Sequence, residues 1–155
     1  MNIRFWVPLL ALWLSGCSLW GEDLGQPRLV VNLTAATNIN PNAEGKPSPV
    51  ELRVYQLTKR NAFEQADFIQ IYDDDQGILK SELAVVRQLP SLLPGESRQE
   101  VIPLGAGVQF IGVIAGFADY REAKNKVIYQ PVIVHSAAIN IEVDGINLTV
   151  SGEEE

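Results

Sequence analysis

The chain is predicted to fold as an all-β, antiparallel two-sheet β-sandwich with one short helical insertion. Three observations predict it. From Arg28 onward apolar residues recur at every second position, the period of half-buried strands rather than helices. These runs are short and separated by turns rich in Gly, Pro and Asp, so roughly seven or eight strands must hide their apolar faces against one another. A chain of 155 residues with 46% apolar and 20% charged side chains fits one globular domain.

Residues 1–16 read as a secretory signal peptide. Arg4 supplies a positive charge, Phe5 to Leu14 is a ten-residue apolar run, and the small residues Ser15 and Gly16 precede Cys17. A membrane-spanning helix needs about 20 apolar residues, and this run is shorter and contains Pro8. Leu14-Ser15-Gly16-Cys17 resembles the lipobox of bacterial lipoproteins. That similarity implies a covalent lipid on Cys17, a diacylglycerol on the thiol and an N-acyl chain on the new terminus, and no other cofactor. Two or more acyl chains make an anchor durable where one does not. The alternative is an ordinary signal peptide cleaved near Gly16, leaving a free thiol. With Ser rather than Asp at position 18, the resemblance implies export to the periplasmic leaflet of the outer membrane. Residues 17–27 form the lipidated Cys and a flexible tether, carrying Gly21, Gly25 and Pro27 with little periodicity.

Residues 28–151 form the predicted sandwich. Leu29, Val31 and Leu33 mark the first strand, and Val50, Leu52 and Val54 the second. Asn61 to Tyr72 shows near-helical spacing, opens with Asn61 three residues before Glu64, and is expected to stop in the turn Asp73-Asp74-Asp75-Gln76-Gly77. A third strand starts near Ala84, and Pro94-Gly95 makes a turn. Pro103 places the strand through Glu100-Val101-Ile102 at an edge. Val108 to Phe117 is apolar on both faces and therefore central, with Gly112 and Gly116 allowing close approach. Val127 to Val134 is a further strand. The runs 139–143 and 146–150 flank Asp144-Gly145 as a type I′ hairpin. Residues 152–155 are an acidic, solvated tail.

Composition excludes several functions. The net charge is -7 and becomes -8 when the signal peptide takes Arg4 with it, so no basic surface is available for nucleic acid. One Cys and one His cannot build a disulfide or a usual zinc site. His135 has no partner that completes a triad. Asp73, Asp74 and Asp75 lack EF-hand spacing, since Ile78 and Ala84 would fall at the glycine and glutamate positions. The chain is therefore not read as an enzyme.

The informative irregular stretch is Ala36 to Pro49, fourteen residues where hairpin loops usually take about two to five. Its prolines limit backbone entropy and its asparagines offer hydrogen bonds, a chemistry suited to recognising a protein surface. A plain crossover between sheets is the alternative. Asn40-Pro41-Asn42, Gly45 to Val50, Arg53-Val54-Tyr55-Gln56-Leu57, Phe63, Ala66-Asp67-Phe68, Tyr72, Leu93-Pro94-Gly95-Glu96 and Ile111 to Phe117 come in an order that resembles the TssJ family, the outer-membrane lipoprotein of bacterial type VI secretion systems. The sequence departs from that pattern at Ala118 and Lys124.

The resemblance implies a transthyretin-like sandwich with a helical excursion, bound through the first loop to the periplasmic C-terminal domain of the inner-membrane component TssM. Other membrane-complex subunits and outer-membrane lipid would be neighbours. Within the loop the expected contacts are Ile39 as apolar anchor, Asn40 and Asn42 as hydrogen-bonding groups, and Glu44 and Lys46 as orienting charges. Two other classes stay open: a carrier with a mostly apolar pocket of about 300 to 1,000 Å³, and an enzyme centred on His135 or the aspartates.

Overall fold

The computed structural model describes residues 25–153. The signal peptide, Cys17 and the tether as far as residue 24 lie outside the described residues, as do Glu154 and Glu155. Eight strands and two helices follow in the order β1 (Arg28–Ala35), β2 (Val50–Leu57), α1 (Asn61–Gln65), α2 (Phe68–Leu79), β3 (Leu83–Leu92), β4 (Ser97–Pro103), β5 (Phe110–Gly116), β6 (Lys126–Tyr129), β7 (Ala137–Asp144) and β8 (Asn147–Gly152). They form two four-stranded sheets, β4-β1-β7-β8 and β3-β2-β5-β6, which is the expected sandwich. β4 lies at an edge and β5 inside, as Pro103 and the two-sided apolar run of β5 require. One pair departs from antiparallel order: β1 runs parallel to β7 from Leu29↔Ala137 to Ala35↔Val143.

The period-two pattern builds the core. Leu29, Val31 and Leu33 of β1, Leu52 and Val54 of β2, and Ile139, Ile141 and Val143 of β7 all turn inward and are buried. A second cluster lies on the other face of the β3-β2-β5-β6 sheet, where Tyr55, Leu57 and Ile114 meet Phe63, Ile71 and Leu79 from the helices. This explains why β5 is apolar on both sides. Gly112 is required there, because a Cβ at that position would sit 2.6 Å from two ring atoms of Phe63.

The helical region is longer than its sequence suggests. The chain becomes extended at Ala66 and Asp67, and the capping box is Asp67 with Gln70, whose Oε1 accepts the Asp67 N–H at 2.8 Å. Asn61 does not cap; Arg60 holds that position. The aspartates expected to end the helix kink it instead. Asp74 leaves helical geometry (φ -150°, ψ 68°), and its carboxylate accepts the Gly77 N–H at 3.0 Å, restarting the helix through Leu79. Burial of Ile71 and Leu79 against β2 and β5 outweighs the local turn preference. At the end of α1, the Lys126 ammonium donates to the carbonyls of Phe63, Glu64 and Ala66. Partial burial lowers the Lys126 pKa, against the opposing pull of Asp67 and Glu64.

Two further expectations are corrected. β6 ends at Tyr129 rather than Val134, since Pro131 cannot donate to a ladder. In the last hairpin Asp144 pairs with Asn147, so the turn residues are Gly145 and Ile146. Only Gly145 has positive φ, at 60°, and a type I′ turn would need both.

Two measurements test this packing. Gly112→Ala forces the Phe63 ring to move and should lower unfolding free energy by about 1–3 kcal/mol, read as a urea midpoint shift. Burial, reinforced by Asp75 3.2 Å from its hydroxyl, pushes the Tyr55 phenol up to about 12. The unfolded phenol ionises near 10, so between those pH values the folded chain holds a proton that the unfolded chain has lost. Stability should therefore fall as pH rises through this window, and Tyr55→Phe should remove that decline.

Candidate functional site

The registers give the sandwich two unlike poles. Arg28, the first residue of β1, lies opposite Pro103, and the chain from Gly25 enters at this end. The same pole holds the 104–109 connection and the 130–136 segment, tied in by the Leu104 N–H to Pro27 O at 2.9 Å and the Arg28 N–H to Ser136 Oγ at 2.9 Å. The far pole collects four other connections: the 36–49 loop, the 93–96 turn, the 117–125 loop and the Gly145-Ile146 turn. Hydrogen bonds join them, from Gly95 N–H to Ala36 O (3.1 Å), Asn40 N–H to Gly145 O (2.9 Å) and Lys124 N–H to Ile146 O (3.0 Å).

The 36–49 loop spans the gap between β1 and β2 as read from the sequence, and its predicted contacts divide into two groups. Ile39 is fully buried within the main core cluster. Asn40 is also buried, in the left-handed region at φ 45°. Its side chain donates to Pro49 O at 2.8 Å and accepts the Ala118 N–H at 2.8 Å, while its carbonyl accepts the Ser48 hydroxyl. Asparagine tolerates this conformation better than most residues. Ile39 and Asn40 thus face inward as struts that hold the loop on the sandwich, their side chains spent on the core and the backbone.

Asn42, Glu44 and Lys46 are exposed. Asn42 shapes the tip, its Oδ1 accepting the N–H groups of Glu44 at 2.9 Å and Lys46 at 3.0 Å, with Gly45 at φ 76° closing the turn. Glu44 and Lys46 form an ion pair at 3.6 Å, with side chains 75% and 74% exposed. A pair so solvated contributes little stability and leaves both charges free to engage a partner.

Beside this pole stands an aromatic ledge that reasoning from the sequence missed. Phe68 lies 5.3 Å from Tyr72 and 6.4 Å from Tyr120 between ring centroids, and the Arg53 guanidinium sits 4.5 Å above the Tyr72 ring. Tyr72 and Tyr120 are partly exposed, as is Ile69. The spacing of Phe68 and Tyr72, one helical turn apart, could have signalled a shared face.

Other candidates do not converge. Asp74 and Asp75 are engaged with Gly77 and Tyr55, and no three potential metal ligands gather among the described residues. His135 is exposed at a left-handed turn, at φ 63°. A groove of about 580 Å³ at the tether pole runs past Val30, Val132, Val134 and Ala138 and past Tyr129 of β6, with Glu153 at its margin.

Fold and poles together define a β-sandwich that offers a braced loop at one end. A family model described as type VI secretion lipoprotein, VasD, EvfM, TssJ matches residues 27–146, and the chain belongs to that family. It is accordingly a structural component of a type VI secretion system and not an enzyme. Among solved structures, the chain is similar to the lipoprotein TssJ1 from Pseudomonas aeruginosa, with 27% identity and TM-score 0.76 over 84% of this chain and 98% of that one. It is similar to a chain of a type VI membrane complex, with 29% identity and TM-score 0.70 over 81% and 98%. A chain in a structure of the TssM C-terminal domain from EAEC matches with 27% identity and TM-score 0.63 over 81% and 98%. A search of curated proteins returned no match.

If Asn40 is a strut, Asn40→Ala should strip the Pro49 carbonyl and the Ala118 N–H of their partner and cost about 1–3 kcal/mol. Hydrogen exchange at the Ala118 amide should accelerate more than exchange in β1.

Proposed function

We propose that the chain is acylated on Cys17 and held in the periplasmic leaflet of the outer membrane, where its far pole binds the periplasmic C-terminal domain of TssM. In this reading it links the outer membrane to the membrane complex of the secretion system. The observation that carries it is the polarity of the fold: the tether enters at one pole and the loop projects from the other. Likeness to a chain in a TssM C-terminal domain structure supports the choice of partner. The lipobox-like Leu14 to Cys17 supports the anchor, and no helix among the described residues is long and apolar enough to cross a membrane.

Contact falls to the exposed tip, with Asn42 offering its amide and Glu44 and Lys46 their charges, while Ile39 and Asn40 keep the tip in shape. A loop already ordered loses little entropy on binding, which favours affinity from a small surface. No bond is made or broken. Both charges are solvated, so they steer encounter and orientation more than they add affinity.

Reversing both charges, Glu44→Lys with Lys46→Glu, should leave the fold intact and weaken capture of the TssM periplasmic domain at least tenfold, a loss of about 1.4 kcal/mol. Biolayer interferometry measures it, and wild-type affinity in the reversed variant would remove the loop tip from the interface.

A further inference from the structure

Val132 and Val134 leave 82% and 80% of their surfaces in solvent, the most exposed large apolar side chains among the described residues. They project from a stiff turn. Val134 and Ser136 exchange backbone hydrogen bonds at 2.7 and 3.2 Å around His135, and the Ser136 hydroxyl accepts the Arg28 N–H. The two valines are therefore fastened to the first residue of β1, beside the point where the tether enters.

Behind them the outer face of the β4-β1-β7-β8 sheet continues the apolar surface. Val30 faces Val101 and Ala138 in register, and Val101 is 50% exposed; Glu153 borders the strip, its carboxylate turned to the Asn32 amide at 3.0 Å. The next row is polar: the Asn32 amide donates to Asn140, and the Gln99 amide donates to Asn32. The apolar strip thus stops one row into the sheet and is confined to the tether pole. Contiguous exposed apolar surface of this kind marks a contact site.

The length of chain outside the described residues identifies the occupant. Cys17 stands eight residues before Gly25, a reach of at most about 28 Å, so an acylated Cys17 holds this pole within about that distance of the bilayer and makes any contact between them intramolecular. We propose that the Val132–Val134 turn, with Val30, Val101 and Ala138 behind it, rests in the headgroup layer of the membrane that holds the lipid anchor. This seat fixes the tilt of the sandwich and aims the opposite loop into the periplasm. It rests on the reading of Cys17 as acylated.

The chain has one Cys, so in acylated protein Val132→Cys supplies the only free thiol for a polarity-sensitive nitrobenzoxadiazole probe. Labelled full-length lipoprotein, its acylation verified by mass spectrometry, is placed in vesicles of phosphatidylethanolamine and phosphatidylglycerol. The emission should shift to the blue, rise several-fold, and be quenched by spin-labelled lipid, whereas a probe at Ala43→Cys on the far loop should stay water-like. Equal, water-like emission from both sites on acylated protein overturns the membrane seat and leaves the anchor standing. A blue shift that grows with protein concentration without vesicles assigns the patch to a second copy, and one that appears only with added TssM periplasmic domain assigns it to that partner; either overturns the proposal. A mass without acyl chains, or two probes per chain, overturns the anchor and the seat with it.

Discussion

Strand β1 is hydrogen-bonded along both edges, antiparallel to β4 and parallel to β7, and the two-ended character of the molecule follows from that placement. Its eight residues hold the tether entry and the start of the long loop roughly 23 Å apart. A slip of one residue would break both ladders and turn Leu29, Val31 and Leu33 out of the core. The separation is therefore as rigid as the sandwich itself.

Rigidity continues past the end of β1 because the loop is built from its inside outward. Ile39 drops into the core, and Asn40 ties the loop to Pro49 and to Ala118 of a neighbouring connection. Leaving these backbone groups unpaired would cost more than ordering one asparagine. Only Asn42 to Lys46 then remains as tip, and Asn42 itself accepts two backbone N–H groups to set the turn. The charges that face solvent thus stand on a frame with few alternative shapes.

The two sheets differ in what they leave uncovered. The helices close the outer face of β3-β2-β5-β6, burying Tyr55, Leu57 and Ile114. Among the described residues, the outer face of β4-β1-β7-β8 has no such cover; it is apolar beside the tether and turns polar at Asn32, Gln99 and Asn140. The loop pole with its aromatic ledge and the apolar margin at the tether are thus left exposed among the described residues.

Much of the fold was legible in the chain because strand burial is written locally: alternating residues in β1, β2, β7 and β8 name their inward faces without knowledge of their partners. The bounds of the 36–49 loop and the edge position of β4 were readable for the same reason, since proline and the loss of alternation act where they stand. Sequence alone also assembled the ordered motifs of the family. Tertiary contact decided the rest. Asp73 to Asp75 carry a turn preference that loses to the burial of Ile71 and Leu79, and Ile39 and Asn40 look like surface groups until a core and a distant Ala118 N–H claim them. Which pole receives the tether, and which valines stand beside it, depends on strand order, and strand order is set by pairings between residues up to about a hundred positions apart that no local pattern records.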